Sequence, residues 1–130
     1  INVDLIFDEL NISDFDAIIF AGGSGAAKYI EDDKCHRIAQ QAISGNKILG
    51  AICAAPAILA RAGVLKNKKA TAWSSNMDKS IIKILKQEGA IEQDDAVVID
   101  GKIITANGPQ AARRFAQAIV ERIKEKKDLN

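Results

Sequence analysis

Between Lys47 and Arg61 the chain runs for thirteen residues, 48–60, without a charged side chain, and both Cys53 and Pro56 lie inside that run. A membrane-spanning helix needs roughly twenty apolar residues, so the run is a buried core segment. Pro56 divides it further. Proline is tolerated in a helix only within the first turn, where N–H groups have no intrahelical acceptor, so 47–52 reads as an apolar strand and 54–62 as the helix that follows. Cys53 falls at the junction. An unbroken apolar strand passing directly into a helix is the building unit of α/β proteins, with a mostly parallel sheet covered on both faces.

The rest of the chain keeps this alternation. Residues 16–21 form a short apolar run ended by Gly22-Gly23-Ser24-Gly25, a buried strand entering a tight loop. Residues 33–44 place Cys35, Ile38, Ala39 and Ala42 at helical spacing, closed by Gly45-Asn46. Residues 69–73 read as a short strand. Ser74-Ser75-Asn76 then offer N-caps for a helix carrying Met77, Ile81, Ile82 and Leu85 on one face, stopped by Gly89. Residues 96–100 and 102–106 flank Asp100-Gly101 as a β-hairpin. Residues 110–125 form a last helix with Ala112, Phe115, Ala116, Ile119, Val120 and Ile123 as its buried stripe, and 124–130 is a solvated end. No linker or repeat interrupts the pattern, so 1–130 reads as a single domain.

Composition narrows the functional classes. With 130 residues, 48% hydrophobic and 27% charged, the chain has the make-up of one compact domain. Eighteen basic against seventeen acidic residues leave a net charge of +1, so no strong field favours nucleic acid or a membrane as partner. Asp4, Asp8 and Glu9 near the start argue against a secretory signal, and a cytoplasmic location is expected. Two cysteines and the single His36 build neither a disulfide scaffold nor a metal site, so no metal is expected. The dinucleotide fingerprint and the P-loop Lys-Ser/Thr pair are absent from the glycine loop, so no nucleotide cofactor is expected either.

Ligands of parallel α/β sheets bind outside the carboxyl ends of the strands, and the chemically informative residues fall there. Cys53 sits in Gly50-Ala-Ile-Cys-Ala-Ala-Pro56, among residues with almost no side chain, as a crowded strand-to-helix turn demands. Such a nucleophile elbow sets the thiol at the positive end of the next helix, which is expected to lower its pKa. A buried structural cysteine is the competing reading. The Gly22-Gly23-Ser24-Gly25 loop is either an anion-binding nest of amides or a plain tight turn. Adjacent parallel strands would set it beside Cys53, where its amides could stabilise an oxyanion. Trp73 ends its strand at the same edge, as a pocket wall or as a core aromatic. Cys35 and His36 are consecutive and do not face each other on a helix, so they are no dyad. Asn107-Gly108-Pro109 reads as a loop and helix start.

Four segments together resemble the ThiJ/PfpI family, within the superfamily of class I glutamine-amidotransferase-like proteins: Ala17-Ile-Ile-Phe-Ala-Gly-Gly23, Gly50-Ala-Ile-Cys-Ala-Ala-Pro-Ala-Ile-Leu-Ala60, Gly63-Val-Leu-Lys-Asn-Lys-Lys-Ala-Thr71 and Ile103-Ile-Thr-Ala-Asn-Gly-Pro109. The resemblance implies a flavodoxin-like three-layer sandwich and a nucleophilic, oxidisable Cys53. It also implies an oxyanion site from the amides of Gly23 and Ala54, with Gly22, Trp73, Gly108 and Pro109 lining it. A homodimer is implied, bringing Gly108 and Pro109 near the partner's site. Members carry a glutamate after their first strand that hydrogen-bonds the cysteine. This chain begins at Ile1 without that strand and helix, so an N-terminally incomplete domain is expected, its acidic partner upstream of Ile1. Protease-like members have histidine where this chain has Ala54, others where it has Trp73, and no histidine follows Cys53. A cysteine-dependent hydrolase or lyase acting on small reactive carbonyls, such as a 2-oxoaldehyde or its adduct on a protein, is therefore the leading expectation. A redox sensor or chaperone working through Cys53 oxidation, and an intracellular cysteine peptidase, are the alternatives.

Overall fold

The computed structural model describes residues 15–22 and 24–128, so Gly23 lies outside the described residues. The chain begins with a strand β1 (Ala17–Gly22), a 3-10 turn (Ser24–Tyr29) and helix α1 (Asp33–Ser44), followed by strand β2 (Ile48–Cys53) and helix α2 (Pro56–Arg61). Then come β3 (Lys69–Ala70), α3 (Ser80–Gln87), β4 (Ile91–Glu92), β5 (Val97–Asp100), β6 (Ile103–Ala106), a 3-10 turn (Pro109–Ala111) and α4 (Ala112–Asp128). The main sheet has the order β1-β2-β6-β5, with β1, β2 and β6 parallel and only β5 antiparallel. A small parallel pair, β3-β4, forms a second sheet beside β5 and β6.

Two cores make this a three-layer α/β sandwich, as the apolar strands and intervening helices demand. Along β2 the side chains alternate between them. Leu49 and Ala51 join Cys35, Ile38, Ala39 and Ala42 of α1, Ala57–Ala60 of α2, and Ile81 and Leu85 of α3. Ile48 and Ile52 face the other way, against Ile104 and Ala106 of β6 and Phe115, Ala118 and Ile119 of α4. Gly50 lies between those two isoleucines because α4 crosses it closely. A Cβ there would stand 3.0 Å from Phe115 Cζ and 3.1 Å from Ile119 Cδ1. Arg61 at the end of α2 clamps the outer helical layer, reaching Glu88 beyond α3 at 2.6 Å and Glu31 ahead of α1 at 3.0 Å.

The structure corrects several expectations. Helix α3 starts at Ser80, not near Ser75, and Met77 is 96% exposed. Ser75 Oγ accepts from the amides of Met77 and Asp78, and Asp78 Oδ1 from the amide and hydroxyl of Ser80, local bonds that hold a turn in place of helix. The strand expected over 69–73 is regular only for Lys69–Ala70, because the buried Thr71 amide donates to the Thr105 side chain instead of to a strand. On α4, Phe115 and Ile119 are buried, but Ala112, Ala116 and Val120 face solvent while Ala111 and Ala118 fill the core. The helix is rotated so that Phe115 and Ile119 straddle Gly50. Residues 124–128 are not a loose end but continue α4, and Lys126 Nζ donates to Asn46 O at 2.7 Å. Strand β4 gave no sequence signal, being two residues long.

The Thr71 N–H to Thr105 Oγ1 bond, 3.0 Å long between two buried residues, anchors the segment that leads to Trp73. Thr105→Val would leave that amide buried and unpaired, so chemical denaturation should show a loss of about 1–3 kcal/mol. Thr105→Ser, which restores the acceptor, should recover most of it.

Candidate active site

Strand β1 ends at Gly22 directly beside Cys53, the last pair in the β1–β2 register. Cys53 itself has φ +66°, a left-handed backbone that non-glycine residues rarely adopt. One consequence shows in the packing. Strand alternation would send its side chain toward Leu49 and Ala51, yet Cys53 packs against the opposite core, with Ile52, Ala106 and Phe115. The left-handed turn reverses its direction and leaves the thiol half-buried at the sheet edge. Small neighbours make this possible, since Ala54 and Ala55 are buried and Pro56 follows at the first position of α2. This is the geometry of a nucleophile elbow.

Two backbone bonds hold the turn. The Trp73 amide donates to Cys53 O at 2.8 Å, and the Ala54 amide donates to Gly22 O at 3.4 Å. The first is strong. The second exceeds the usual N–H···O range, so the Ala54 amide is only loosely committed. The structure thus brings Gly22, Cys53, Ala54 and Trp73 to one sheet end. Gly108 joins them: it is buried, and a Cβ built on it would stand 3.9 Å from Trp73 Cδ1. Pro109 is exposed at the start of the following turn. Gly23, the other expected oxyanion donor, lies outside the described residues.

The electrostatics differ from the expectation. Burial pushes the Cys53 thiol above its ordinary pKa, and no charged group among the described residues counters it. Helix α2 has only six residues and starts three positions beyond the thiol. Cys35 is a structural cysteine, 2% exposed, its thiol pushed up to about 11 by burial and then by the Asp32 carboxylate. His36 Nε2 lies 2.6 Å from Ile30 O, which commits the one histidine to the backbone ahead of α1. Among the described residues no group of three or more His, Cys, Asp or Glu side chains is placed to hold a metal. No helix among them is long and apolar enough to cross a membrane.

An α/β sandwich with a strained cysteine at the end of a central parallel strand defines a cysteine-elbow protein. The chain belongs to the DJ-1/PfpI family, whose model matches residues 1–122. MJ0967 of Methanocaldococcus jannaschii is 37% identical over 126 residues, 96% of this chain and 60% of that protein. The deglycase PfpI of Pyrococcus furiosus is 32% identical over 124 residues, covering 95% and 72%. The glutathione-independent glyoxalase DJR-1.2 of Caenorhabditis elegans is 30% identical over 127 residues, covering 98% and 65%. The crystal structure of a ThiJ/PfpI domain protein from Brachyspira murdochii superposes with a TM-score of 0.88 at 30% identity, over 96% of this chain and 69% of that one. This chain thus spans 60% of MJ0967 and only 26% of the DJ-1 homolog B of Arabidopsis thaliana.

Two outcomes follow from the geometry. With its thiol pushed up, Cys53 should react with iodoacetamide at a rate that climbs about tenfold per pH unit from pH 6 to 8, while Cys35 stays unlabelled until the chain unfolds. Peptide mapping of timed samples checks both. Cys53→Gly should be more stable than Cys53→Ala by about 1–2 kcal/mol, because glycine alone adopts the left-handed turn without strain.

Proposed function

We propose that Cys53 is the nucleophile of a cytoplasmic enzyme of the glyoxalase or deglycase type, acting on small reactive carbonyls. The observation that carries this is the left-handed Cys53, held at the carboxyl end of β2 by the Trp73 amide. Strain of about 1–3 kcal/mol in a non-glycine residue persists where surrounding structure enforces it, and such residues cluster at active sites. The names of the P. furiosus and C. elegans relatives support the same reaction class.

In this reading the Cys53 thiolate adds to the aldehyde carbon of a 2-oxoaldehyde. The C–S bond forms, the carbonyl π pair moves to oxygen and takes a proton, and a hemithioacetal results. Moving the proton from that carbon to the neighbouring carbonyl carbon, while the hydroxyl proton passes to the neighbouring oxygen, gives the isomeric 2-hydroxy thioester. Water then releases the 2-hydroxy acid and returns the thiol, so the net change is addition of one water. The loosely committed amide of Ala54 serves the oxyanion. We assign the proton carrier, and the group that offsets the burial of Cys53, to a carboxyl group outside the described residues. The same addition reaches an oxoaldehyde already condensed on a protein side chain. A homodimer, with the exposed Pro109 at the contact, completes the assembly.

The commitment of His36 to Ile30 O, and the lack of any histidine after Cys53, weigh against peptide or glutamine hydrolysis, which needs a base for the thiol and the leaving amine. Methylglyoxal turnover followed by 2-hydroxy acid formation tests the reading. Cys53→Ser should lower kcat/KM at least about a hundredfold, and equal turnover by both proteins would overturn it.

A further inference from the structure

The segments that converge on Cys53 carry unusually little chemistry. They are Gly22 at the end of β1, Ala54-Ala55 after β2, Trp73-Ser74 beyond β3, and Ala106-Asn107-Gly108 at the end of β6. None of these residues is charged. Only one has a large side chain, Trp73, and its position is fixed from both sides. Its amide is bonded to Cys53 O, and its indole edge rests over Gly108, which has no side chain of its own to meet it. The Trp73 backbone is thereby tied to the nucleophile residue, and the residue still leaves 37% of its surface open. A tryptophan left more than a third open, its backbone bonded to the cysteine, is not what a plain core aromatic presents, and exposed aromatic surface favours flat apolar groups.

We infer that Trp73 is a specificity-determining residue that selects 2-oxoaldehydes bearing an aromatic or bulky apolar substituent over methylglyoxal. The inference rests on the reading of Cys53 as the nucleophile and adds the substituent to it. The substituent lies against the indole while the aldehyde carbon meets Sγ. The bond changes are those of hemithioacetal formation, and the indole takes no part in them. A methyl group would leave the indole face wet, forgoing the apolar contact that distinguishes substrates in such pockets.

The test compares kcat/KM for phenylglyoxal and methylglyoxal in the wild-type chain, Trp73→Ala and Trp73→Phe. The expected wild-type preference for phenylglyoxal is about tenfold. Trp73→Ala should bring it to within about twofold through a higher KM for phenylglyoxal, and Trp73→Phe should keep most of it. An undiminished preference in a folded Trp73→Ala, or a wild-type preference for methylglyoxal, overturns the inference while leaving the Cys53 mechanism standing. If neither aldehyde is turned over, the mechanism fails and alkylation of Cys53 decides the role of Trp73 alone. Phenacyl bromide, which forms the C–S bond with loss of bromide, is compared with iodoacetamide, each rate divided by that of free cysteine. The aromatic reagent should be favoured about fivefold or more in the wild type and not in Trp73→Ala. It should also change the emission of Trp73, the sole tryptophan. Equal normalised rates in both proteins contradict the proposal.

Discussion

The left-handed turn at Cys53 is the constraint on which the site depends, and two backbone bonds to neighbouring segments hold it. Trp73 N–H to Cys53 O ties it to the segment after β3, and Ala54 N–H to Gly22 O ties it to β1. Each holds only because its segment is itself fixed. β1 lies in register with β2 along its whole length, and the approach to Trp73 is anchored by the buried Thr71–Thr105 bond. The fold thus converts sheet pairing and one buried hydrogen bond into a cysteine that points away from the face its strand position would give it. That reversal, set among alanines and glycines, leaves the thiol half-buried beside a short list of uncharged neighbours.

Much of this was legible in the residues because the local signals agree with one another. The charge-free run 48–60 holds β2 and all of α2 but Arg61, with Pro56 marking the helix start, and the Asp100-Gly101 turn marks the β5–β6 hairpin. The stripe of Cys35, Ile38, Ala39 and Ala42 is buried as its spacing requires. The failures occur where side chains compete with backbone or where the surroundings decide. Ser75 and Asp78 bond to nearby amides and delay α3 to Ser80, which a cap-plus-stripe pattern cannot reveal. The rotation of α4 depends on its approach to Gly50, a contact between residues sixty-five positions apart in the sequence. A two-residue strand such as β4 has no periodicity to read.

The site was legible in part. The place of Cys53 and its neighbours at one sheet end follows from strand order and small residues, and Gly22, Ala54, Trp73 and Gly108 are gathered there. The protonation behaviour of Cys53 did not follow, because desolvation depends on packing and not on the elbow motif. A six-residue α2 starting beyond Ala55 and a Cys53 packed against the α4-side core make burial the governing influence among the described residues. Membership of the DJ-1/PfpI family accounts for the fold that carries the elbow.

The central claim, that the strained Cys53 forms a covalent bond to substrate carbon, is tested most directly by carbon-13 NMR with methylglyoxal labelled at the aldehyde carbon. A protein-bound resonance at the position of a sulfur-bonded hemithioacetal carbon, decaying into the carboxylate signal of the 2-hydroxy acid and missing in Cys53→Ser, is the predicted result. Label that passes to product with no sulfur-bonded carbon, or that collects only on arginine and lysine side chains, would contradict it.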